Sequence, residues 1–407
     1  MAATIAAVTP YLKEVYRGKI IKQLNDEIVA LKRITRSSAG VTNETNGKYV
    51  TFPIHTRRNS GVGSRLENEP LPVPGQQGHA AARVALKYGY GGLQITGQAI
   101  SLSDTDTKAF AQAISTEVNG LKDDVKKDMN RQVYGSGNGA IGVVSVADTG
   151  SNIVEVADAK LFQLDERVDI VTLPATVAVA DRIVTDIDLA TNIVTLSGAV
   201  FNSSVGQIVT RQGSGPDSVA GNREITGLAG FVGTGDVYNI AVSAEPEWKS
   251  VIFDNSGTPR ALSEGLMTQM VDEIRTRGGK TTLILQSLGV RRSYANLLTQ
   301  TRSSVNTQEF TGGFKGLAFT TDGENGEIPV IADVDAPQGK QHFLNEDTIT
   351  YFRDRDWDWM DRDGNMWKQV RDTNGDYDAY YARLVEYHEL GCNRRNSNGR
   401  IDDLIES

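Results

Sequence analysis

The residue groupings in this 407-residue chain that could do bond chemistry each lack one requirement. Gly137-Asn138-Gly139-Ala140-Ile141-Gly142 spells the G-x-G-x-x-G pattern with which a strand-to-helix turn cradles a pyrophosphate. Here the pattern follows a helical stretch and precedes β-like sequence, so it reads as a junction. His388-Glu389-Leu390-Gly391-Cys392 begins like a zinc-protease motif, but Cys392 stands where the second histidine belongs. The segment also alternates like a strand, whereas that motif needs a helix to align its ligands. His55, His79 and His342 are scattered. Asp354, Asp356, Asp358, Asp361 and Asp363 are hard-cation ligand types, as are Asp372, Asn374, Asp376 and Asp378. A helical-hand calcium loop needs glycine at its sixth position and a carboxylate at its twelfth. Counting from Asp354 gives Trp359 and Asn365, and the run reads as a solvated acidic face. The sequence holds no P-loop and no Gly-x-Ser-x-Gly elbow. No catalytic residue, cofactor or metal is assigned, and no enzyme is expected.

A different chemistry, adhesion, is suggested between Lys48 and Ile95. Tyr49 to His55 has the pattern of a strand. From Arg57 to Gly78 the pattern dissolves into Gly61, Gly63, Pro70, Pro72, Pro74, Gly75 and Gly78, and the chain returns through Val84, Leu86, Tyr88, Tyr90 and Leu93. More than 20 irregular residues between two extended arms is unusual inside a compact domain and is normally functional or disordered. Arg57, Arg58, Arg65, Glu67 and Glu69 carry both signs of charge there and are the candidates for contact with another subunit. An isolated two-stranded arm is marginal alone, so a partner surface is expected to order it.

The elements around this arm are long. Thr9-Pro10 opens a helix with a capping hydroxyl and a proline at its first position. Leu12, Tyr16, Ile20, Leu24, Ile28 and Leu31 continue it to Ile34, with a stop near Ser37-Ser38-Ala39-Gly40. A second helix is predicted from Thr105 to Tyr134, capped by Ser103, Asp104 and Asp106. Its one apolar face runs Phe110, Ile114, Val118, Leu121, Val125, Met129, and Gly135 stops it. From Gly142 to Gly215 aromatics nearly vanish. Short β-like runs appear there at Ile153–Val156, Val168–Thr172, Ile183–Ile187, Ile193–Leu196 and Gln207–Thr210, with a turn at Asp188 to Asn192. The remainder mixes a helix capped by Ser263, a strand at Thr281–Leu285, a helix from Ser287, a glycine loop at Gly312-Gly313 and strands at Ile328–Ile331 and His342–Leu344. A long strand over Tyr380–Leu390 closes the series, and the mixture indicates an α+β fold.

Composition narrows the partners. Hydrophobic residues make up 39% and charged residues 23%, the balance of an ordinary folded soluble protein. A net charge of -9 argues against binding nucleic acid by bulk attraction, though not against enclosing it. Cys392 is the one cysteine, which rules out a disulfide within the chain and fits a reducing compartment. The start, Met1-Ala2-Ala3-Thr4-Ile5, lacks the features of a signal peptide. The longest apolar run, Leu173 to Ala180, falls far short of the roughly 20 residues of a membrane span, so no membrane is expected.

The order of these parts resembles the major capsid protein of tailed bacteriophages, the Hong Kong 97-like fold. So do local phrases: Asn130-Arg131 with Tyr134-Gly135-Ser136-Gly137, Glu224-Ile225-Thr226-Gly227-Leu228, and Trp359-Met360-Asp361 with Asp363-Gly364. The resemblance implies an α+β capsid fold with an inserted all-β domain. On that pattern residues 1–47 form the amino-terminal arm, 48–101 the extended β loop, and 102–141 the spine helix and start of the peripheral domain. Residues 142–215 are the β insert, 216–261 a return into the core, 262–340 the axial domain, and 341–407 the peripheral return strands and tail. It further implies a virion protein, assembled in the bacterial host cytoplasm, that forms hexamers and pentamers of an icosahedral shell. The shell would enclose double-stranded DNA without sequence-specific binding.

Some members of that family join a loop lysine covalently to a neighbour's asparagine. This chain has no lysine between Lys48 and Lys87, so non-covalent contacts are expected. It also shows no long scaffolding region before its arm, which implies a separate scaffolding protein beside a portal and room for a decoration protein. The nearest rival is an encapsulin-like bacterial compartment shell, which shares the fold. A carbohydrate- or calcium-binding surface module is a rival of another class, and an enzyme is the third.

Overall fold

A computed structural model describes residues 29–38, 49–98, 107–218, 221–302, 317–320, 327–361, 365–372 and 375–406. Most of the predicted amino-terminal helix, the Ser103, Asp104 and Asp106 caps and the Gly312-Gly313 loop lie outside them. Where the arm helix is described it covers Ala30–Arg33 and ends sooner than its apolar stripe suggests. Ile34 is extended, and Thr35–Ser37 forms a strand parallel to Ile349–Arg353. Two β-branched residues in succession favour that change.

The spine helix runs Thr107–Tyr134, about 42 Å at 1.5 Å per residue. Met129 and Val133 are buried beneath it, and the Gly135 N–H closes its last turn on the Gln132 carbonyl at 3.0 Å. Gly137 and Gly139 then take φ of +90° and +75°, turning the chain into the strand Ala140–Val143. The glycine pattern is therefore spent on a helix-to-strand corner, the reverse of a dinucleotide turn.

Tyr49–Arg57 pairs antiparallel with Gly78–Ala85 to make the arm, from Tyr49↔Ala85 out to Arg57↔Gly78. Its root is anchored by the buried Val50, Ala82 and Val84, while residues 58–77 carry no strand. The chain continues as Lys87–Thr96, which pairs with the long strand Gly375–Cys392 from Lys87↔His388 to Thr96↔Ala379. The second strand centres a six-stranded sheet that also holds Thr35–Ser37, Ile349–Arg353, Asp358–Trp359 and Lys368–Asp372. Gly91 is required on the face toward the spine, since a Cβ there would stand 2.9 Å from Val125 and 3.3 Å from Leu121.

A second six-stranded sheet is ordered Val251–Phe253, Gly399–Ile401, Gln341–Leu344, Leu283–Gln286, Glu327–Ala332, Leu317–Thr320. Glu264–Thr276 packs on it through Met267, Met270 and Ile274, and Leu288–Arg302 through Val290 and Tyr294. Ser263 caps the first of these helices, its Oγ accepting the Leu266 N–H at 3.2 Å. This sheet also draws on strands at residues 251–253, 341–344 and 399–401. Every residue of Leu283–Gln286 is buried, so strands are needed on both of its flanks, and residues 341–344 and 399–401 complete that side.

Between Ala140 and Arg211 a third six-stranded sheet has its own core of Ile141, Phe162, Ile170, Val184, Leu196 and Val209. Its order is Ala140–Val143, Ile208–Arg211, Arg167–Thr172, Thr176–Asp188, Ile193–Leu196, Ile153–Glu155. Asp188 makes the turn between the fourth and fifth of these, its carboxylate accepting the Ala190 N–H at 2.8 Å.

Candidate assembly interface

The far end of the arm inverts the usual surface rule. Val62, Leu66, Leu71 and Val73 are 77 to 87% exposed, whereas Arg65 and Glu69 beside them bond back to the loop's own backbone. Arg65 donates to the Pro70 and Ser64 carbonyls, both at 3.0 Å, and the Glu69 carboxylate accepts the Leu66 N–H at 3.0 Å. Asn59 Oδ1 accepts the Gly61 N–H at 2.7 Å. Charge thus shapes the tip while the apolar side chains point outward. Exposed apolar groups brought together in this way mark a contact surface, and covering each gains roughly 1.5–3 kcal/mol.

The five charged residues singled out in the sequence separate accordingly. Arg57 sits at the root of the loop and pairs within the chain to Glu245 at 3.0 Å. Arg65 and Glu69 hold the tip's own shape. Arg58 and Glu67 are exposed on it. The four apolar side chains were overlooked in the sequence because each stands alone among glycine, proline and polar residues. Their recurrence through an otherwise polar loop was the available signal.

The spine's last turns form a charged hub that holds the arm's platform in place. Arg131 reaches Glu224 at 2.6 Å and Asp128 at 2.9 Å, and Arg211 of the β insert reaches the same Asp128 at 2.6 Å and also Glu166. Burial alone would raise the Asp128 carboxyl, but Arg131 and Arg211 outweigh it and bring it down to about 2. For Glu224 burial wins over Arg131, and its carboxyl is raised. One turn along, Asn130 Nδ2 donates to Asp333 at 3.1 Å and Asp335 at 2.6 Å, and Tyr134 donates to Asp333 at 2.9 Å. Lys127 pairs with Asp335 at 3.0 Å. The Ala30 and Leu31 N–H groups end on Asp333 and Asn130, both at 3.2 Å. Arm, spine, insert and the loop after Glu327–Ala332 therefore meet at one helix end.

Residues that resembled a zinc motif serve packing. His388 lies in the long strand, its ring stacked on Tyr351 at 5.6 Å and its Nδ1 3.3 Å from Glu386. Cys392 is buried, and burial pushes its thiol up to about 11. Glu389 accepts the Thr226 N–H at 2.6 Å and the Leu390 N–H at 3.0 Å through one oxygen. Burial outweighs those bonds and Lys87, lifting its carboxyl to about 8. A carboxyl raised from 4.5 adds stability that is fully present below pH 4.5 and is lost as pH rises through 8. Glu389→Gln keeps the accepting oxygen and removes the titration. Its denaturation midpoint is expected to match wild type near pH 5 and exceed it at pH 9.

Residues 202–403 match the family model of the SU10 major capsid protein. Among solved structures, the capsid asymmetric unit of cyanophage A-1(L) superposes with a TM-score of 0.57 at 16% identity, covering 96% of this chain and 98% of that one. A structure from Mycobacterium phage Bobi gives 0.48 at 10% identity, covering all of both chains. The capsid of a native GTA particle gives 0.47 at 11%, covering 100% of this chain and 99% of that one. No curated protein matches the sequence. The fold is that of the Hong Kong 97-like capsid proteins, with helices and sheets mixed as an α+β architecture.

Proposed function

We infer that this chain is a major capsid protein of a tailed double-stranded DNA bacteriophage and that it closes its shell by laying the apolar arm tip on an adjacent subunit without a covalent bond. The observation that carries the reading is the outward-facing Val62, Leu66, Leu71 and Val73 on a rigidly rooted two-stranded arm. Arg58 and Glu67 lie beside them and would add exposed ion pairs worth roughly 0 to 1 kcal/mol each. Repetition supplies the strength: a subunit held by several neighbours is kept by effective concentration rather than by one strong contact.

The protein is a structural component of the virion and assembles with its own copies. Hexamers and pentamers, assembly in the host cytoplasm, a separate scaffolding protein, a portal and a decoration protein are the finer parts of the proposal. The phage-capsid match over residues 202–403 favours a genome shell over an encapsulin-like compartment. A net charge of -9 suits a container that must release DNA, since repulsion acts only over about 8 Å at physiological salt.

Electron micrographs of particles built from the wild-type chain are expected to show closed shells. Val62→Asp with Leu71→Asp should leave the unassembled protein's circular dichroism and melting unchanged while abolishing shells. Shells of normal yield from that variant would remove the tip from the mechanism. Boiled wild-type particles should run as one band near 44.1 kDa, and a ladder would end the non-covalent assignment.

A further inference from the structure

The β insert has one end without charge. Four consecutive strands, starting from the edge strand Ala140–Val143, line up Val143↔Ile208↔Val171↔Val177 across the sheet, putting these side chains on one face. Ile208 and Val171 are buried in the middle of the row, while Val143 is 43% and Val177 52% exposed at its margins. The connecting loops at that end add Val146, Leu173 and Val205, 47 to 65% exposed. They adjoin the row: Gly206 N–H bonds the Val144 carbonyl at 3.0 Å, and Gln207 Nε2 bonds Thr172 Oγ1 at 2.8 Å.

No charged side chain occurs from Ile170 to Ala180 or from Leu189 to Thr210. Asp148, which follows the loop carrying Val146, is turned to the Thr149 N–H and the Ser151 hydroxyl of its own hairpin. Over residues 142–215 as a whole the balance is nine acidic side chains against four basic ones. The insert's charges, mostly acidic, lie away from the loops at residues 143–147, 172–176 and 203–207, and exposed Leu164, Leu189 and Val200 stand singly elsewhere on it.

We propose that this end meets the same end of a second copy, across a local twofold axis of the shell. The proposal rests on the capsid reading and adds the contact to it. At a twofold each contact residue lies near its own copy, so any charge there would face its like. Like charges across an interface are costly, and this end, with several exposed apolar side chains on adjoining loops and little charge among them, is a part of the acidic insert that two copies can join. A foreign partner recognising the insert would be drawn to its carboxylates by basic groups, and this end offers none.

The test uses the full chain in assembled particles. Leu173→Cys, Val177→Cys and Val205→Cys are made singly; Cys392 is buried, so the new thiol is the reactive one. A short bismaleimide should convert at least one of them to a band of twice the chain mass. Leu189→Cys, exposed at the opposite turn between Asp188 and Ala190, should stay monomeric. Monomer at all three positions in intact particles overturns the contact, whether the thiols are open to maleimide or shielded by another protein. Equal dimer from Leu189→Cys overturns it as well. Failure of the wild-type chain to form particles would instead overturn the capsid reading itself.

Discussion

Arg395→Met is expected to lower the stability of the unassembled subunit by about 3 kcal/mol, and with it to remove shells at physiological temperature. Arg395 is fully buried. Its guanidinium donates to the carbonyls of Phe231 at 2.7 Å, Gly233 at 2.8 Å and Gly235 at 2.9 Å, and lies over the Trp248 ring at 5.5 Å. Hydrogen bonds to a charged group contribute ~1.5–3 kcal/mol each. Ser250 moderates the loss, because its hydroxyl and N–H still reach the Phe231 and Gly233 carbonyls. Methionine fills most of the volume, so the effect isolates the lost fork of donors. Arg395→Lys keeps the charge and should recover only part of it, since one ammonium cannot span three carbonyls. Urea unfolding measures this directly. Arg33→Met provides the contrast: its pair with Glu346 is 37% and 23% exposed and should cost no more than about 1 kcal/mol. Equal midpoints for the Arg395 and Arg33 variants would show that the carbonyl cage does not hold this loop.

The spine helix, the arm strands and the insert's short strands were legible because each follows from local rules. A single face at helical spacing, alternation bounded by glycine, and an Asp-to-Asn turn need no knowledge of distant residues. Arg395 was not legible. It stands in Arg394-Arg395, which reads as a solvated basic pair near the carboxyl end, and only the tertiary path of residues 231–235 encloses it. The hub behaves likewise. Asn130-Arg131 stood out as a phrase, but its partners lie at Glu224, Asp333 and Asp335, more than 90 positions away. Pairing of that range leaves no periodic trace. The sheet around Leu283–Gln286 was only partly legible for the same reason: Gly399–Ile401 is three residues long, and only its neighbours Val251–Phe253 and Gln341–Leu344 make it a strand. At the arm tip the cause differs. The chain signalled a contact there, but charge drew notice first, and Arg65 and Glu69, though exposed, bond back to the loop's own backbone and shape the segment that presents the apolar side chains.

Arg131→Met should cost roughly 3–5 kcal/mol near neutral pH, because it strips the cation from a buried carboxylate pair. The two acids respond differently. Asp128 keeps Arg211 at 2.6 Å and remains ionised, whereas the Glu224 carboxylate loses its 2.6 Å partner. Glu224 is already raised by burial, and without Arg131 it rises further. A raised carboxyl adds stability fully present below its unfolded value and lost as pH climbs through its folded one. The variant should therefore be less impaired at pH 5 than at pH 8, and adding Glu224→Gln should remove that difference. Wild type has the opposite slope at acid pH. Asp128 is held down at about 2, so its contribution of roughly 2 kcal/mol is present above 3.8 and disappears as pH falls through 2. Urea midpoints at pH 5 and pH 8 for wild type, Arg131→Met and the double variant decide the matter. A deficit equal at both pH values would assign the loss to packing at the spine's end. A deficit that grows with pH would show that the spine's last turn is tied by charge to the segment carrying Glu224, while the Asp128–Arg211 link to the insert stays intact.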